Sequence, residues 1–404
     1  MDFREKKILL LGGSAQQLVA IRAAKELGLY TILCDYLPDN PGQYEVDKFY
    51  QLSTTDVEAV YKVAREERVN GILAYASDPA ALPAAIVADR LGLPTNPVTS
   101  VEILGIKNKF RDFLEQQGFA CPKHVDFHPS IPIEELKERV AHFHFPIIIK
   151  PTDSSGSKGV TKLDKDGDFE KAISWADSYS RNKVLIAEEF IYRGFPNVIG
   201  GDIFVDEGKI VLYGEMSCLR DNDGKGLVPI GKMLPSGLNM NQIDIVHKEL
   251  QRLVSTLQIK GGQMNIEIIL DEKDTPHFLE LGPRAGGNMI PIQLSDAYNV
   301  DLVKANVLVA MGEKADIKPS IPEGCYMHYV LHSFQYGKFA GIEIDMNIEK
   351  FVYRQVIYKK YDDIVEYFDG AGKAVGIIFL HFDNAEQMRD FCEHHHSYVK
   401  INLK

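Results

Sequence analysis

Two carboxylates interrupt apolar runs in the second half of the chain. Glu267 stands in Asn265-Ile266-Glu267-Ile268-Ile269, and Glu280 in Phe278-Leu279-Glu280-Leu281. Both runs read as strands, joined by the polar turn Asp271 to Thr275. Paired through that turn, they can set the two carboxylates side by side. Buried carboxylates repel one another and are costly unless a cation neutralises them. An all-oxygen pair beside a phosphate suits Mg²⁺; the plainer alternative is a solvated strand face. Pro283-Arg284-Ala285-Gly286-Gly287-Asn288 follows at once. Arg284 offers a guanidinium fork for phosphate or carboxylate, or an ion pair with Glu280.

A second cluster lies upstream. Lys150 ends the short apolar run Phe145-Pro146-Ile147-Ile148-Ile149, where a lysine costs desolvation unless it meets an anion. The loop Ser154-Ser155-Gly156-Ser157-Lys158-Gly159 follows. Its backbone amides can wrap phosphate oxygens, and Lys158 adds charge. The G-x-x-x-x-G-K-[ST] pattern is absent, so a plain flexible loop is the competing reading. Near the start, Gly12-Gly13-Ser14 lacks the G-x-G-x-x-G spacing of a dinucleotide fold. That turn either holds an anionic substrate group at a helix start or only lets the helix pack. His394-His395-His396 near Cys392 looks metal-like, but at a predicted helix terminus it reads as a surface helix end.

The elements that must position these residues follow from periodicity. Lys7 to Leu11, Tyr30 to Cys34 and Gly71 to Ala74 read as strands. Ala15 to Leu27, Val57 to Arg68 and Pro83 to Leu91 read as helices. This alternation predicts a parallel sheet covered by helices. Leu93 to Pro97 is a breaker-rich boundary. Beyond it, one helix over Val101 to Gln117 precedes strands at Pro146 to Pro151 and Lys183 to Ala187. A hairpin at Ile203 to Tyr213, a helix at Asn241 to Leu257 and the two carboxylate strands follow, which is α+β organisation. After Pro319 to Pro322 come strands at Tyr326 to Leu331 and Ala374 to Phe382, and a helix at Ala385 to His394.

The 404 residues suit two or three domains. With 45 basic and 57 acidic residues the net charge is −12, which gives no general attraction to nucleic acid. No apolar run is long enough to span a bilayer, so no membrane partner is expected and the expected location is cytoplasmic. Five scattered cysteines form no C-x-x-C pair and read as free thiols.

In order along the chain, a helix lysine, a strand lysine, a Gly/Ser loop, an acidic strand end and two carboxylate strands with a trailing Pro-Arg resemble the ATP-grasp superfamily. The resemblance covers nearly the whole chain. It implies mixed α/β and α+β architecture: an N-terminal parallel-sheet domain over 1–100, an ATP-grasp domain over 101–318 with 120–190 as a small lid-like part, and a small C-terminal domain over 319–404. By the same match Lys109 and Lys150 hold ATP phosphates and Ser154 to Gly159 close over them. Glu188, Glu189, Phe190 and Ile191 lie along adenine and ribose. Glu267 and Glu280 hold Mg²⁺, and Arg284 stands at the reacting phosphate. Two positions depart from the family pattern: Gly282 where asparagine is common, and Gly194-Phe195-Pro196-Asn197 where a ribose-binding acid is common.

The implied activity is that of an ATP-dependent ligase. ATP phosphorylates a small carboxylate to an acyl phosphate, an amine attacks it, and ADP and phosphate leave. A homodimer is the assembly the resemblance suggests. A purine-type carboxylase or formyl-transfer enzyme keeps the fold and changes the substrates; a nucleotide-binding regulatory protein without turnover is the rival from another class. The N-terminal turn, Asp78 and the segment Ser217 to Lys232 are candidate pocket walls.

Overall fold

The structure, a computed structural model, describes residues 3–220 and 228–404, which form two compact units. The first comprises Met1–Val101, Ile199–Ile266 and Gly282–Lys404. It opens with four parallel strands in the order Lys48–Gln51, Tyr30–Asp35, Lys7–Leu11, Gly71–Leu73. Ile8 to Leu11 are buried throughout, as strands covered on both faces must be. Ala20, Ile21 and Ala24 of the helix Leu18–Glu26 pack on one face with Val303 and Val307. Val60 and Val63 of Val57–Glu67 cover the other face, with Val87 of Asp78–Arg90.

The second sheet of this unit runs Gly262–Leu270, Ile199–Asp206, Lys209–Arg220, Pro229–Leu234, Cys325–Leu331, Gly376–Phe382, Val352–Ile357. The helix Ile290–Tyr298 packs Ile290 and Leu294 against Met216 and Leu234 on one face. Phe391 of the helix Ala385–Tyr398 joins Met327, Tyr329 and Leu380 on the other. The strands beyond residue 319 therefore extend the same sheet as the hairpin from Ile199 to Arg220.

The second unit comprises Glu102–Val198 and Glu267–Leu281, so the strand Gly262–Leu270 runs from one unit into the other and pairs there with Pro276–Gly282. Its own antiparallel sheet has the order His124–Phe127, Leu185–Glu189, Ile147–Pro151, Thr161–Leu163. Leu136 from the helix Ile133–Arg139 and Ala172 and Ala176 from Phe169–Asp177 close its core over Ile147, Ile149 and Leu185.

Several predicted elements change. The helix over Val101 to Gln117 is two helices, Val98–Gly105 and Lys107–Gln116. Ile106 between them is extended (φ −127°, ψ 113°), and the Lys107 amide donates to Thr152 O at 2.9 Å. The first helix begins at Leu18, three residues late, because Gln17 folds back: its Oε1 accepts from the Ser14 amide (2.8 Å) and its Nε2 donates to Tyr75 O (2.8 Å). The short, half-polar strands Lys48–Gln51 and His124–Phe127 carry too little alternation to be read from sequence. The last helix continues to Tyr398, and His395 is buried against the Tyr329 ring, so the triple histidine is not simply a surface helix end. Among the described residues no group of three His, Cys, Asp or Glu side chains could hold a metal, none of the five cysteines forms a disulfide, and no helix is long and apolar enough to cross a membrane.

Candidate functional site

The chemistry of the second unit centres on one buried carboxylate. Glu188 lies opposite Ile148 in the paired strands, so Lys150, two residues on, shares its face. The Lys150 ammonium binds Glu188 Oε1. The Arg111 guanidinium comes from the helix Lys107–Gln116 and donates from Nε to Glu188 Oε2 at 2.9 Å. Side-chain exposure is 0% for Arg111, 4% for Glu188 and 10% for Lys150. Burial disfavours the Glu188 carboxylate, but Arg111 and then Lys150 override it and pull the group down to about 2. Two cations on one anion leave a surplus positive charge. Burial, with Arg111 and Lys107 adding to it, accordingly brings Lys150 down to about 8 although Glu188 opposes the fall. A buried site with one unmatched positive charge has a standing affinity for an anion.

Lys107 adds to this charge. Its Nζ donates to Ser154 O at 2.5 Å, at the root of the Gly/Ser loop. Lys109 instead is 44% exposed and pairs with Glu102 at 2.7 Å. Helix geometry gives the reason: residues two apart diverge by about 200°, whereas Lys107 and Arg111 lie one turn apart on a common face. Arg111 and Lys107 are the residues that the sequence reading missed. The signal was available in the buried Phe110, Arg111 and Leu114 of that helix, which fix its inner face. In the loop, positive φ at Gly156 (68°), Ser157 (60°) and Gly159 (73°) turns the chain sharply, as amide concavities for anions require. Lys158 and Gly156 are exposed, and Ser154, Ser155 and Ser157 half-buried.

Glu188 and Glu189 diverge because successive strand residues face opposite ways. Glu188 is committed to the buried triad. Glu189 accepts from the His144 amide (2.8 Å) and His144 Nδ1 (3.0 Å), with Lys123 at 3.4 Å. Burial opposes its ionisation, but these donors hold it below the ordinary carboxylate range. Phe190 and Ile191 are half-buried, and the Lys162 ammonium sits 4.2 Å from the Phe190 ring centre.

Both strand carboxylates, Glu267 and Glu280, are half-buried among buried neighbours. Glu267 makes no hydrogen bond or ion pair among the described residues. The burial alternation of Pro276–Gly282 slips by one residue: Pro276 and Phe278 are buried, then Leu281. The Arg111 guanidinium donates from Nη1 to Phe278 O (3.2 Å) and from Nη2 to Leu279 O (3.1 Å) in this stretch. Glu280 and His277 are both half-buried. Two oxygen-bearing side chains on half-exposed strand positions, one of them unpartnered, fit a Mg²⁺ held by protein carboxylates and substrate phosphates together.

In the first unit Arg284 forks Asp78, Nε to Oδ1 and Nη2 to Oδ2, both at 2.7 Å. It also lines a cavity of about 430 Å³ with Asn96, Lys260, Gln263 and Asn306. The Asp202 carboxylate accepts from Asn265 Nδ2 (2.8 Å), Gln263 Nε2 (2.9 Å) and the Gly286 amide (2.8 Å). A Cβ on Gly286 would lie 2.5 Å from Asp202 Oδ1, so this approach requires glycine. The Gly12-Gly13 turn is held from within: the Gly13 amide donates to Asp35 Oδ2 at 2.7 Å. Of the candidate pocket segment Ser217 to Lys232, residues 221–227 lie outside the described residues.

Residues 107–318 match the family described as carbamoyl-phosphate synthase L chain, ATP binding domain. The carbamoyl phosphate synthase large chain of Thermoanaerobacter pseudethanolicus is 23% identical over 307 residues, which is 73% of this chain but 27% of that protein's length. Among solved structures, the L-amino acid ligase from Bacillus licheniformis has a TM-score of 0.81 at 20% identity, covering 99% of both chains. The phosphoribosylglycinamide synthetase from Anaerococcus prevotii has a TM-score of 0.78 at 19% identity, covering 99% of this chain and 100% of that one. The fold that the resemblance implied is therefore the one these structures share, and the chain belongs to the carbamoyl-phosphate synthase L chain ATP-binding domain family of ATP-grasp proteins.

Proposed function

We propose that the protein is an ATP-dependent ligase that joins a small carboxylate to an amine. The observation that carries this reading is the buried Arg111–Glu188–Lys150 triad with its unmatched positive charge, set beside the Gly/Ser loop and Lys107. Such a site demands a polyanion, and the family match supports ATP.

Lys150 and Lys107 hold phosphate oxygens, and the loop Ser154 to Gly159 covers them. Lys109 is retained as a weaker candidate for the same task. Glu189, Phe190 and Ile191 receive the nucleoside, with Glu188 acting on it only through Lys150. Glu267 and Glu280 would hold Mg²⁺, which supplies charge neutralisation at the transferring phosphoryl group. A carboxylate oxygen of the acid attacks the γ-phosphorus, and the bond to the ADP oxygen breaks. The amine then attacks the acyl carbon, loses a proton, and the phosphate leaves with the carboxylate oxygen. Arg284 stabilises charge at the reacting phosphate. The assembly is proposed as a homodimer, and five cysteines outside any disulfide suit the proposed reducing, cytoplasmic setting.

The test is nucleotide chromatography after incubation with Mg–ATP and a panel of small acids and amines, bicarbonate and formate included. ADP release that needs both an acid and an amine is expected. Dependence on bicarbonate or formate would assign a purine-type reaction instead, and AMP with pyrophosphate would exclude the acyl-phosphate route.

A further inference from the structure

Lys232 is a buried lysine that the nucleotide chemistry does not use. It lies on the strand Pro229–Leu234 in the first unit, opposite Cys218 on one neighbour and His328 on the other. The residue is 5% exposed. Its Nζ makes no hydrogen bond and no ion pair among the described residues. A largely buried lysine whose ammonium is not hydrogen-bonded to a carboxylate is costly, and such charges are kept where something anionic comes to meet them.

The surroundings are built for that charge without cancelling it. Gly200 lies beneath the ammonium, and a Cβ there would stand 2.4 Å from Nζ. Asp202 is the nearby carboxylate, but its oxygens are occupied by Asn265, Gln263 and the Gly286 amide. Lys232 and Arg284 act on it only through space, and burial still raises it above the ordinary carboxylate range. Arg284 has its own bidentate partner in Asp78. On the other side, His328 Nδ1 donates to Gln293 Oε1, and Gln293 Nε2 donates to Lys232 O at 3.2 Å. Burial, with Lys232 adding to it, holds His328 near 3, so it is neutral and no rival cation. Gln293 is fully buried and fixes both strands beneath the helix Ile290–Tyr298.

We propose that Lys232 anchors a carboxylate of the small-molecule substrate, making the first unit selective for acids that present that group to a fixed buried ammonium. Only the identity of the ligand rests on the ligase reading; the binding itself can be tested without turnover. The alternative anion source is a phosphate, and the test separates the two.

Thermal melting of the full chain is measured with acetate, succinate, L-alanine and L-glutamate, and with inorganic phosphate. Each is compared with sodium chloride at equal ionic strength. The variants are Lys232→Met, which keeps the reach and removes the charge, and Gly200→Ala, which keeps the charge and crowds it. At least one carboxylate should raise the melting temperature of the unsubstituted protein above the chloride control. That increment should vanish in both variants, while stabilisation by Mg–ATP persists. Without ligand, Lys232→Met should melt at or above the unsubstituted protein, because the desolvation of a largely buried charge is relieved and no hydrogen bond or ion pair among the described residues is lost. For an acid that supports turnover, its apparent KM should rise at least about 30-fold in Lys232→Met, with little change in that for ATP.

A Lys232→Met protein that melts lower without ligand and keeps the carboxylate increment would make Lys232 a structural lysine. An increment seen only with phosphate, or with none of these anions, would overturn the assignment as well. Loss of ADP release with the carboxylate increment intact would sink the ligase reading and leave this site standing.

Discussion

Arg111 and Glu188, 77 residues apart in sequence, meet at 2.9 Å inside the second unit, and the same guanidinium reaches on to two carbonyls beside Glu280. One side chain thus ties the strand Leu185–Glu189 to the strand that carries Glu280. Arg111→Met breaks a fully buried pair and leaves Phe278 O and Leu279 O without their donor. It should lose about 3–5 kcal/mol of stability in urea denaturation. Arg111→Lys keeps the charge but cannot span both carbonyls, so it should fall between the two and raise the Mg²⁺ concentration needed for turnover. Equal stability and Mg²⁺ dependence in all three proteins would show that the clamp is incidental.

The two helix lysines separate by register. Lys107→Met should weaken apparent ATP affinity by at least about tenfold, because a charged hydrogen bond beside the loop is lost. Lys109→Met should leave it within about twofold and change stability by at most about 1 kcal/mol, as expected for an exposed pair. Equilibrium nucleotide binding decides the order, and a larger effect at Lys109 would restore the assignment made from the sequence.

That exchange shows where the sequence was readable. The N-terminal strands Lys7–Leu11 and Tyr30–Asp35 announce themselves by unbroken apolar runs, and Lys150 by its place at the end of one. The choice between Lys107 and Lys109 was also legible, from the apolar face set by Phe110 and Leu114. The exposure of Glu280 was not, since the burial of its strand departs from strict alternation and Arg111 reaches its neighbours from another element. Nor was Arg284 with Asp78, whose 206-residue separation leaves no local trace. Lys150 also reads differently once its partner is seen, for the charge that looked unpaired belongs to a triad.

The triad has a pH signature. Lys150 is depressed to about 8 by burial, below its ordinary value of 10.5, so the unfolded chain binds more protons between those values and stability should rise with pH across that window. Glu188 is lowered to about 2, so its contribution is complete above about 4.5 and lost as pH falls towards 2. A phosphate recharges Lys150. Near pH 8, ATP binding should therefore take up protons, measured by calorimetry in buffers of different ionisation enthalpy. Lys150→Arg should abolish the uptake; proton release on binding in the unsubstituted protein would contradict the assignment.

Glu280→Gln keeps the side-chain shape and removes the charge of a proposed Mg²⁺ ligand. Turnover should fall on the order of 100-fold or more. Stabilisation by ATP with Mg²⁺ should drop to that by ATP alone, because binding is linked to folding. Thermal melts with and without Mg²⁺ check this. An intact Mg²⁺ increment would move the metal site away from Glu267 and Glu280.

The central claim is that a carboxylate becomes an acyl phosphate on this protein, and oxygen transfer tests it most directly. The acid that supports ADP release is supplied with ¹⁸O in its carboxylate, and the products are read by mass spectrometry. The account predicts one ¹⁸O in each inorganic phosphate released, since the oxygen that attacks phosphorus leaves with it. Label found in AMP, or phosphate carrying no label, would contradict it.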